Sequence, residues 1–322
     1  ALKKHGRLSR FYTTLYSSHL AYRYFPFQDF WKRRQCESLK SKDVVSFPWP
    51  ELMQRALMGV FGVNHFTTNG LNYWRNRWFD CHVSQRLAQM KFDSFIGFSG
   101  GCLVSMKKAQ SIGKIAVLNQ HDVHPRFAER ILKEEIELLP DFASLIPFWP
   151  PHQTYLKQVD EELAMADRII VPSAFALRTH EMEGVATEKL ISIPLGANAS
   201  YPMEFSEPKK KEGPFRILFV GTINQRKGIK YLLEAVRQLH LPQCELVLLG
   251  TLGGRNSQPL KPYRDYFKHM GFVSQEKLQG FWRAAHVLVL PSIYDALGLV
   301  ILEAMAHGLP VIVSDHTAGH EV

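Results

Sequence analysis

The chain has 322 residues, 46% of them hydrophobic and 21% charged, with a formal net charge of +9. This composition is typical of a globular protein with enough chain for two domains, and it excludes a disordered chain or a membrane-spanning run of apolar residues. The four cysteines are widely spaced and form no C-x-x-C motif, which predicts reduced thiols in a cytoplasmic protein. They are Cys36, Cys81, Cys102 and Cys244.

The first 34 residues are strongly basic and rich in aromatic side chains. They hold eight Lys or Arg residues against Asp29 alone, with nine aromatic residues between them. Three interpretations stay open: a solvated face over core aromatics, which is the simplest, contact with an anionic membrane surface, or contact with a lipid-linked acceptor. Nucleic acid is disfavoured because the sequence contains no recognisable binding module. We therefore expect a cytoplasmic protein, with peripheral contact to the inner membrane face as an option.

The first half of the chain alternates apolar strands with helical stretches. The predicted strands are Phe92–Phe98, Lys114–Asn119, Arg168–Val171 and Leu190–Ile193. The predicted helices are Cys102–Gln110, Arg126–Leu139, one that ends with Glu161–Ala166, and Phe175–Glu183. This alternation is typical of an α/β domain with a parallel sheet, which binds ligands at the carboxyl ends of its strands.

A G-x-S-x-G motif, Gly97 to Gly101, lies between the first of these strands and the next helix. One interpretation is the nucleophile elbow of a hydrolase, with Ser99 as the nucleophile and Asp122 and several histidines following it. The other is a tight turn whose Ser99 and Gly100 contact an acceptor. We prefer the second interpretation because a hydrolase leaves the charged motifs of the second half unexplained.

The segment His121-Asp122-Val123-His124-Pro125 follows a strand, so it is predicted at the ligand-binding edge of the sheet. The His-x-x-His spacing suggests zinc, but Pro125 breaks any helix that would hold the two histidines in register. We therefore predict no metal site. His121 and Asp122 remain candidates for contact with a substrate, Asp122 on the acceptor side, and a structural histidine is the alternative for His121.

A polar, lysine-rich stretch at residues 199–213 predicts a linker between a domain at 1–198 and a second domain at 214–322. After the linker, the apolar strand Phe215–Val220 runs into the loop GTINQRKG and the amphipathic helix Ile229–Leu239. Arg226 and Lys227 are thus predicted at a helix N-terminus, where cations are unfavourable unless an anion binds between them. The loop indicates a phosphate site, with a solvated basic turn as the alternative.

The most informative stretch is Pro291–Ser314, which reads PSIYDALGLVILEAMAHGLPVIVS. Two apolar strands, Val287–Leu290 and Val311–Val313, flank a helix that is predicted to begin near Gly298 and to end at Gly308. The first N–H groups of such a helix have no acceptor within it and attract anions. This helix start is therefore a second candidate anion site.

Two carboxylates belong to the same stretch: Asp295 in the loop and Glu303 in the helix. Glu303 has no Lys or Arg three or four positions away, so a hydroxyl-rich ligand would be a suitable partner. A solvated glutamate and a Glu303–His307 pair are the alternatives.

The stretch resembles the signature of retaining glycosyltransferases of the GT-B fold, family GT4, whose usual form is PS-x-x-E-G-F-G-L-x-x-L-E-A-M-A-x-G-x-P-V-I. The loop GTINQRKG is similar to the G-R-L-x-x-x-K-G diphosphate loop of that family. ADRIIVPS at 166–173 and IPLGAN at 193–198 resemble two further family stretches, and the similarity spans most of residues 90–322. The resemblance implies an α/β protein of two Rossmann-like domains that face each other across a cleft.

The resemblance also implies roles for residues. Lys227 would bind the diphosphate, Glu303 the ribose, and Asp295, which replaces the family's first Glu, would lie beside the transferred sugar. Ala296 and Leu297 also depart from the family pattern, and Thr222 replaces an Arg for which Arg226 would compensate. The predicted donor-binding residues are Gly221, Thr222, Arg226, Lys227, Gly298, Leu299, Val300 and Glu303. The predicted catalytic residues are Asp295, Glu303, Lys227 and His121, the last matched to a family histidine near the sugar.

The predicted activity is transfer of a glycosyl group from a nucleoside-diphosphate sugar to a glycan, lipid-linked or small-molecule acceptor, without a metal or another cofactor. Cations and helix amides would offset the charge on the departing diphosphate. One alternative is a non-catalytic nucleotide-sugar binder or inactive fragment, and another is a nucleotide-sugar epimerase of the same fold. A family member would begin before the helix that ends near Gly6 and Arg7 and would continue beyond Val322, so truncation at both ends is expected.

Overall fold

A computed structural model describes residues 2–16, 39–61, 65–146, 153–196, 213–239, 242–254 and 256–321. The aromatic and basic residues between 17 and 38 lie outside this part, as do Cys36 and nearly all of the predicted linker at 199–213. The other three cysteines carry free thiols, as expected. Within the same part of the chain, none of the helices combines the length and apolar character that a membrane span requires.

Short strands and helices alternate along most of the chain. The strands are β1 (Phe11–Thr13), β2 (Val44–Ser46), β3 (Ser94–Phe98), β4 (Ile115–Asn119), β5 (Arg168–Val171), β6 (Leu190–Ser192), β7 (Phe215–Val220), β8 (Cys244–Leu249), β9 (Lys268–His269), β10 (Val287–Leu290) and β11 (Val311–Val313). The helices are α1 (Trp49–Phe61), α2 (His65–Leu87), α3 (Leu103–Ser111), α4 (Pro125–Leu138), α5 (Gln153–Met165), α6 (Ala174–Met182), α7 (Ile229–Leu239), α8 (Gln275–Ala284) and α9 (Leu299–Ala306).

The strands of the second half form a five-stranded sheet in the order β11-β10-β7-β8-β9. Each neighbouring pair in it is parallel. Alternate residues belong to two different core clusters: Ile217 and Phe219 to one, Leu218 to the other. Because both faces of the sheet are buried, its strands are continuous apolar runs rather than alternating ones. The carboxyl ends of β7 and β10 consequently lie side by side, and this juxtaposition positions the candidate site.

A second sheet has the order β3-β4-β5-β6, with β3 and β4 parallel in the register Ser94 to Ile115. The chain divides into two compact units. The first contains residues 1–119 and 152–169, and the second contains residues 120–151 and 170–322. The predicted boundary at 199–213 stays a prediction.

The described part of the first unit begins with a turn, in which Arg7 N donates to Leu2 O at 2.9 Å and Gly6 has a φ of +65°. The expected helix end near Gly6 and Arg7 stays a prediction. A small parallel pair, β1 and β2, follows. It packs through Phe47 onto an aromatic cluster of α2 that includes Trp78 and Phe79.

The predicted elements are confirmed closely. The strands at 168–171, 215–220, 287–290 and 311–313 and the helix at 229–239 have the predicted bounds. Other elements shift by one or two residues; for example, α4 begins at Pro125 because His124 caps it. Pro140 ends that helix as predicted and begins a 3₁₀ turn. Boundary shifts of this size are expected because helix ends depend on local caps.

Candidate functional site

The loop after β7 carries the predicted cations, but not in the first turn of α7. Gln225–Lys227 form a separate 3₁₀ turn, and the Asn224 side chain caps it by accepting a hydrogen bond from Lys227 N at 3.0 Å. Gly228, with a φ of +68°, then separates this turn from α7. Arg226 and Lys227 therefore lie at the N-terminus of α7, as predicted, but in a separate turn that precedes the helix. This tight turn is at the carboxyl end of the sheet.

This turn packs directly on the loop that follows β10. A Cβ atom at Gly228 would lie 1.8 Å from the carbonyl oxygen of Pro291, so only glycine permits the approach. Ile293 N donates to Arg226 O at 2.8 Å. The two motifs that lie about 70 residues apart in sequence are thus joined backbone to backbone.

Lys227 and Asp295 form an ion pair through Nζ and Oδ2. Their side chains are only 13% and 14% exposed, so the pair is largely shielded from water. Arg226 lies beside it, with its guanidinium carbon 5.3 Å from the Tyr294 ring centroid and Nη1 donating to Tyr294 O at 3.4 Å. The two basic side chains of the first motif therefore meet the acidic loop of the second.

Burial shapes the electrostatics of this cluster. It lowers the pKa of Lys227, and Asp295 opposes that effect by favouring the charged ammonium. Burial also raises the pKa of Asp122, which Arg226 lowers and Asp295 raises in turn. Asp122 is therefore within electrostatic range of Arg226 and Asp295. The predicted contact of Asp122 with the acceptor stays a prediction.

The start of α9 adjoins the same cluster. Gly298 is its N-cap residue with a φ of +67°, and it offers no side chain to the first amides. A Cβ atom at Gly298 would lie 3.6 Å from Asp295 Oδ2 and 2.8 Å from Ile301 Cδ1. The N–H groups of Leu299 and Val300 are in the first helical turn, where no carbonyl of the helix can accept from them. The cations and the helix start are thus brought together, as predicted.

Glu303 lies one turn further along α9 and is partly buried. Burial raises the pKa of its carboxyl, and His307 opposes this weakly. His307 Nδ1 contacts the backbone oxygen of Glu303 at 2.7 Å, not the carboxylate. Among the residues that the structure describes, no hydrogen bond or ion pair is made by the Glu303 carboxylate. It is therefore available to a ligand.

Gly221 and Thr222 begin the loop after β7. Gly221 N donates to Leu249 O at 2.9 Å, and a Cβ atom at Gly250 would lie 1.9 Å from Gly221 O. The backbones of the two loops therefore touch. Thr222 is exposed, and its methyl group borders Gly253.

The two histidines of the His-x-x-His segment lie in different environments. His121 is exposed on the loop after β4, as predicted. His124 is buried, and its Nδ1 accepts a hydrogen bond from Arg126 N at 3.2 Å to cap α4. That nitrogen is engaged in the fold, so the zinc interpretation gains nothing from the structure. The role of His121 beside a sugar stays a prediction.

The G-x-S-x-G turn of the first unit is closed rather than poised for catalysis. Gly100 N and Cys102 N donate to the buried carboxylate of Glu162, at 2.6 and 3.1 Å. Ser99 Oγ is itself buried without a hydrogen-bond partner among the described residues. A nucleophile elbow needs an exposed hydroxyl and free amides, so the hydrolase interpretation is wrong. The acceptor role of Ser99 and Gly100 stays a prediction.

Sequence analysis missed Glu162 as a structural residue. It is an acidic side chain on the buried face of α5, and Gln158 one turn earlier donates to its Oε1 at 2.9 Å. An acid within the apolar face of a helix was the available signal, because such a charge requires buried partners.

The second half of the chain matches a known protein family. The family described as glycosyl transferases group 1 matches residues 202–322, which include both motifs. Residues 202–322 are a domain of this family. Three relatives each match about a third of the chain. They are an uncharacterized glycosyltransferase of Methanocaldococcus jannaschii, 39% identical over 103 residues, O-antigen chain mannosyltransferase B of Escherichia coli, 34% over 113, and D-inositol 3-phosphate glycosyltransferase of an Arthrobacter species, 36% over 110.

These matches cover 30%, 33% and 31% of this chain and only 26%, 30% and 26% of the relatives' own lengths. Outside the group 1 domain, evidence for the fold comes from solved structures. Sucrose-phosphate synthase from Thermosynechococcus elongatus superposes with a TM-score of 0.54 at 23% identity, covering 76% of this chain and 61% of that one. The Anabaena protein HepE, in complex with UDP and glucose, gives 0.55 at 18% identity, covering 76% and 64%. The fold is the α/β fold of GT-B glycosyltransferases.

The group 1 signature departs from its usual form at Asp295, Ala296 and Leu297. The last two side chains are buried, and the carbonyl oxygen of Ala296 accepts a hydrogen bond from Ser173 Oγ. These two departures therefore contribute to packing. Asp295 alone of the three directs a polar group at the cations.

Proposed function

We propose that this chain belongs to a retaining glycosyltransferase that uses a nucleoside-diphosphate sugar as donor. The observation that carries the proposal is the convergence of Arg226, Lys227 and the open start of α9 on one spot. Charge-assisted hydrogen bonds to phosphate oxygens contribute roughly 1.5–3 kcal/mol each. Two cations and two helix amides together suit a diphosphate better than any neutral ligand.

The remaining residues have roles that follow from their positions. Glu303, whose carboxylate lacks a partner in the described part of the chain, would accept hydrogen bonds from the ribose hydroxyls. Asp295 would orient the transferred sugar, and His121 would approach that sugar from the loop after β4. The acceptor would contact Ser99 and Gly100. Because HepE binds UDP and glucose by its description, a UDP-sugar is the first donor to test.

In the proposed reaction, the bond between the anomeric carbon and the diphosphate oxygen breaks and a bond to the acceptor oxygen forms. The acceptor hydroxyl releases its proton to solvent, and the diphosphate leaves with an additional negative charge. Arg226, Lys227 and the amides of α9 would stabilise that charge, which is why no metal or other cofactor is required for it. Retention at the anomeric carbon rests on the family resemblance.

The test is nucleotide binding by Lys227→Ala. Calorimetry with UDP and GDP should show binding by the wild-type chain and a loss of about 10- to 100-fold in the variant, since one charge-assisted contact is removed. Lys268→Ala is the matched control, because its Nζ pairs with Glu245 and is largely exposed. Equal affinity of wild type and Lys227→Ala for both nucleotides would remove the diphosphate role.

A non-catalytic nucleotide-sugar binder is the second candidate, and one observation favours it. Asp295 is held by Lys227 instead of being free to contact a sugar. Transfer and hydrolysis assays with UDP-glucose and its products would separate the two candidates. Binding without turnover in the presence of glycan and lipid-linked acceptors supports the non-catalytic binder.

The first unit, which contains Ser99 and Gly100, has a surface that suits binding to an anionic bilayer. Such a bilayer would present a lipid-linked acceptor. Helix α1 exposes Trp49, Leu52 and Met53, at positions i, i+3 and i+4, and buries Glu51 and Gln54 instead. Residues 1–91 contain 15 Lys or Arg and 5 Asp or Glu, a net charge of +10, so the remaining 231 residues carry −1. An exposed apolar face in a strongly basic region matches the requirements of interfacial binding.

Co-sedimentation with vesicles would test this contact. We expect binding to vesicles that contain anionic lipids, weaker binding to neutral vesicles, and a loss of binding in Met53→Glu. If the chain does not bind anionic vesicles at low salt, this membrane contact is ruled out.

A further inference from the structure

The candidate diphosphate site contains its own anions. Lys227 Nζ, the cation that the proposed function assigns to the diphosphate, is already paired with Asp295 Oδ2. Asp122 contributes a second carboxylate within the field of Arg226. Asp295 already offsets the charge of Lys227, so an arriving diphosphate meets a lysine whose cation is paired. A like charge close to a ligand anion opposes its binding.

The contacts around this ion pair hold the backbone of Asp295 in place but leave its side chain able to rotate. Its backbone is fixed, because Asp295 N donates to His316 O at 2.9 Å and the residue bridges to Thr317. The Lys227 backbone is fixed in the same way by the Asn224 cap and the adjoining Gly228. On the α9 side, Gly298 borders the Asp295 carboxylate without a side chain; a Cβ atom there would lie 3.6 Å from Asp295 Oδ2 and 2.8 Å from Ile301 Cδ1. Rotation about two side-chain bonds is sufficient to move it away from Lys227.

We infer that the Asp295 carboxylate competes with the diphosphate of the ligand for Lys227. Asp295 must release Lys227 before a donor can bind there. This inference rests on the proposed function and adds a selectivity to it. A free nucleoside diphosphate displaces the carboxylate and offers it no new hydrogen-bond partner. A nucleotide sugar displaces the same carboxylate but offers it sugar hydroxyls as new hydrogen-bond partners. Asp295 therefore weakens binding of the free diphosphate product relative to the intact donor.

This selectivity has a use in turnover. After the sugar has been transferred, the diphosphate no longer carries the hydroxyls that held Asp295. The carboxylate returns to Lys227 and helps to expel the product. Asp295 thus acts on the reaction through Lys227 as a positioning residue, in addition to any contact with the sugar.

Calorimetry with UDP, GDP and UDP-glucose on the whole chain tests the inference with Asp295→Asn. The amide keeps the size of the side chain and removes its charge. We expect UDP and GDP to bind about five- to tenfold more tightly than to wild type, with a smaller gain or a loss for UDP-glucose. Glu245→Gln is the matched control: it removes the same charge from an ion pair with Arg216 and Lys268 at the amino end of β8 and should leave all affinities unchanged.

The outcomes separate the inference from the proposed function. Nucleotide binding by wild type with no gain in Asp295→Asn overturns the inference and leaves the diphosphate site intact. Binding by neither protein overturns the proposed function and the inference with it. Asp295→Ala, which also lacks the charge, should reproduce the gain for UDP, and circular dichroism should confirm that both variants fold.

Discussion

Two helix starts in this protein look alike in sequence and differ in what occupies them. Helix α3 in the first unit follows β3 and a glycine turn, and α9 in the second unit follows β10 and a loop that ends in Gly298. At the start of α3, carboxylates of the same chain accept hydrogen bonds from the backbone amides. Glu162 accepts from Gly100 N and Cys102 N, and Asp80 accepts from Val104 N and Ser105 N.

At α9 the arrangement is reversed. Gly298 provides no capping side chain, and the nearby carboxylate of Asp295 is paired with Lys227 rather than with the helix. A helix start attracts anions in both cases, because its amides and dipole are the same. The difference shows that such a site binds a ligand only where the fold has not already supplied the anion. It also explains why the more familiar-looking G-x-S-x-G motif is the structural one.

The largest expected effect comes from opening the closed site. Glu162→Ala would leave Gly100 N, Cys102 N and the Gln158 amide without an acceptor in a buried position, which should cost about 3–5 kcal/mol of unfolding free energy. Chemical denaturation would measure it. The neighbouring Glu161→Ala is the control, since Glu161 is 57% exposed and its one ion pair among the described residues is with Lys107, and it should change stability by less than about 0.5 kcal/mol. Equal stability of the two variants would contradict the comparison.

An intermediate effect is expected at the open site. Glu303→Gln removes the charge from a carboxylate that forms no hydrogen bond within the described residues. We therefore expect no loss of stability, but about tenfold weaker binding of UDP or GDP, because a charged hydrogen bond to the ribose is lost. Calorimetry against the exposed Glu276→Gln variant measures this difference. A Glu303→Gln variant that unfolds easily and binds normally would show that Glu303 is structural, like Glu162.

The smallest effect is the pH dependence of the same variant. Burial raises the pKa of Glu303 in the folded protein above its value in the unfolded chain. The stability that this group contributes is therefore full below the unfolded pKa of about 4.3 and is lost as the pH rises through the folded pKa. Glu303→Gln carries no such loss. Its melting temperature should exceed that of wild type slightly at pH 7, and the two should converge near pH 4; convergence at pH 7 instead would contradict the assigned burial.

Much of the site could be predicted from sequence because its parts are local. The apolar runs FRILFV, VLVL and VIV define buried parallel strands without any tertiary information. The loop with Lys227 and the helix with Glu303 then follow from the residues that end those runs. Parallel strands place their carboxyl ends at one edge, which is why two motifs about 70 residues apart could be assigned to one site.

The sequence by itself determined the α/β class, the position of most strands and helices, and the pair of motifs that resemble a glycosyltransferase donor site. Tertiary structure alone decided which charges pair. It joined Lys227 to Asp295, brought Asp122 within electrostatic range of Arg226, and filled the start of α3 with Glu162. The physical reason is that strand and helix patterns repeat over a few residues, whereas an ion pair depends on where side chains from distant segments are buried together.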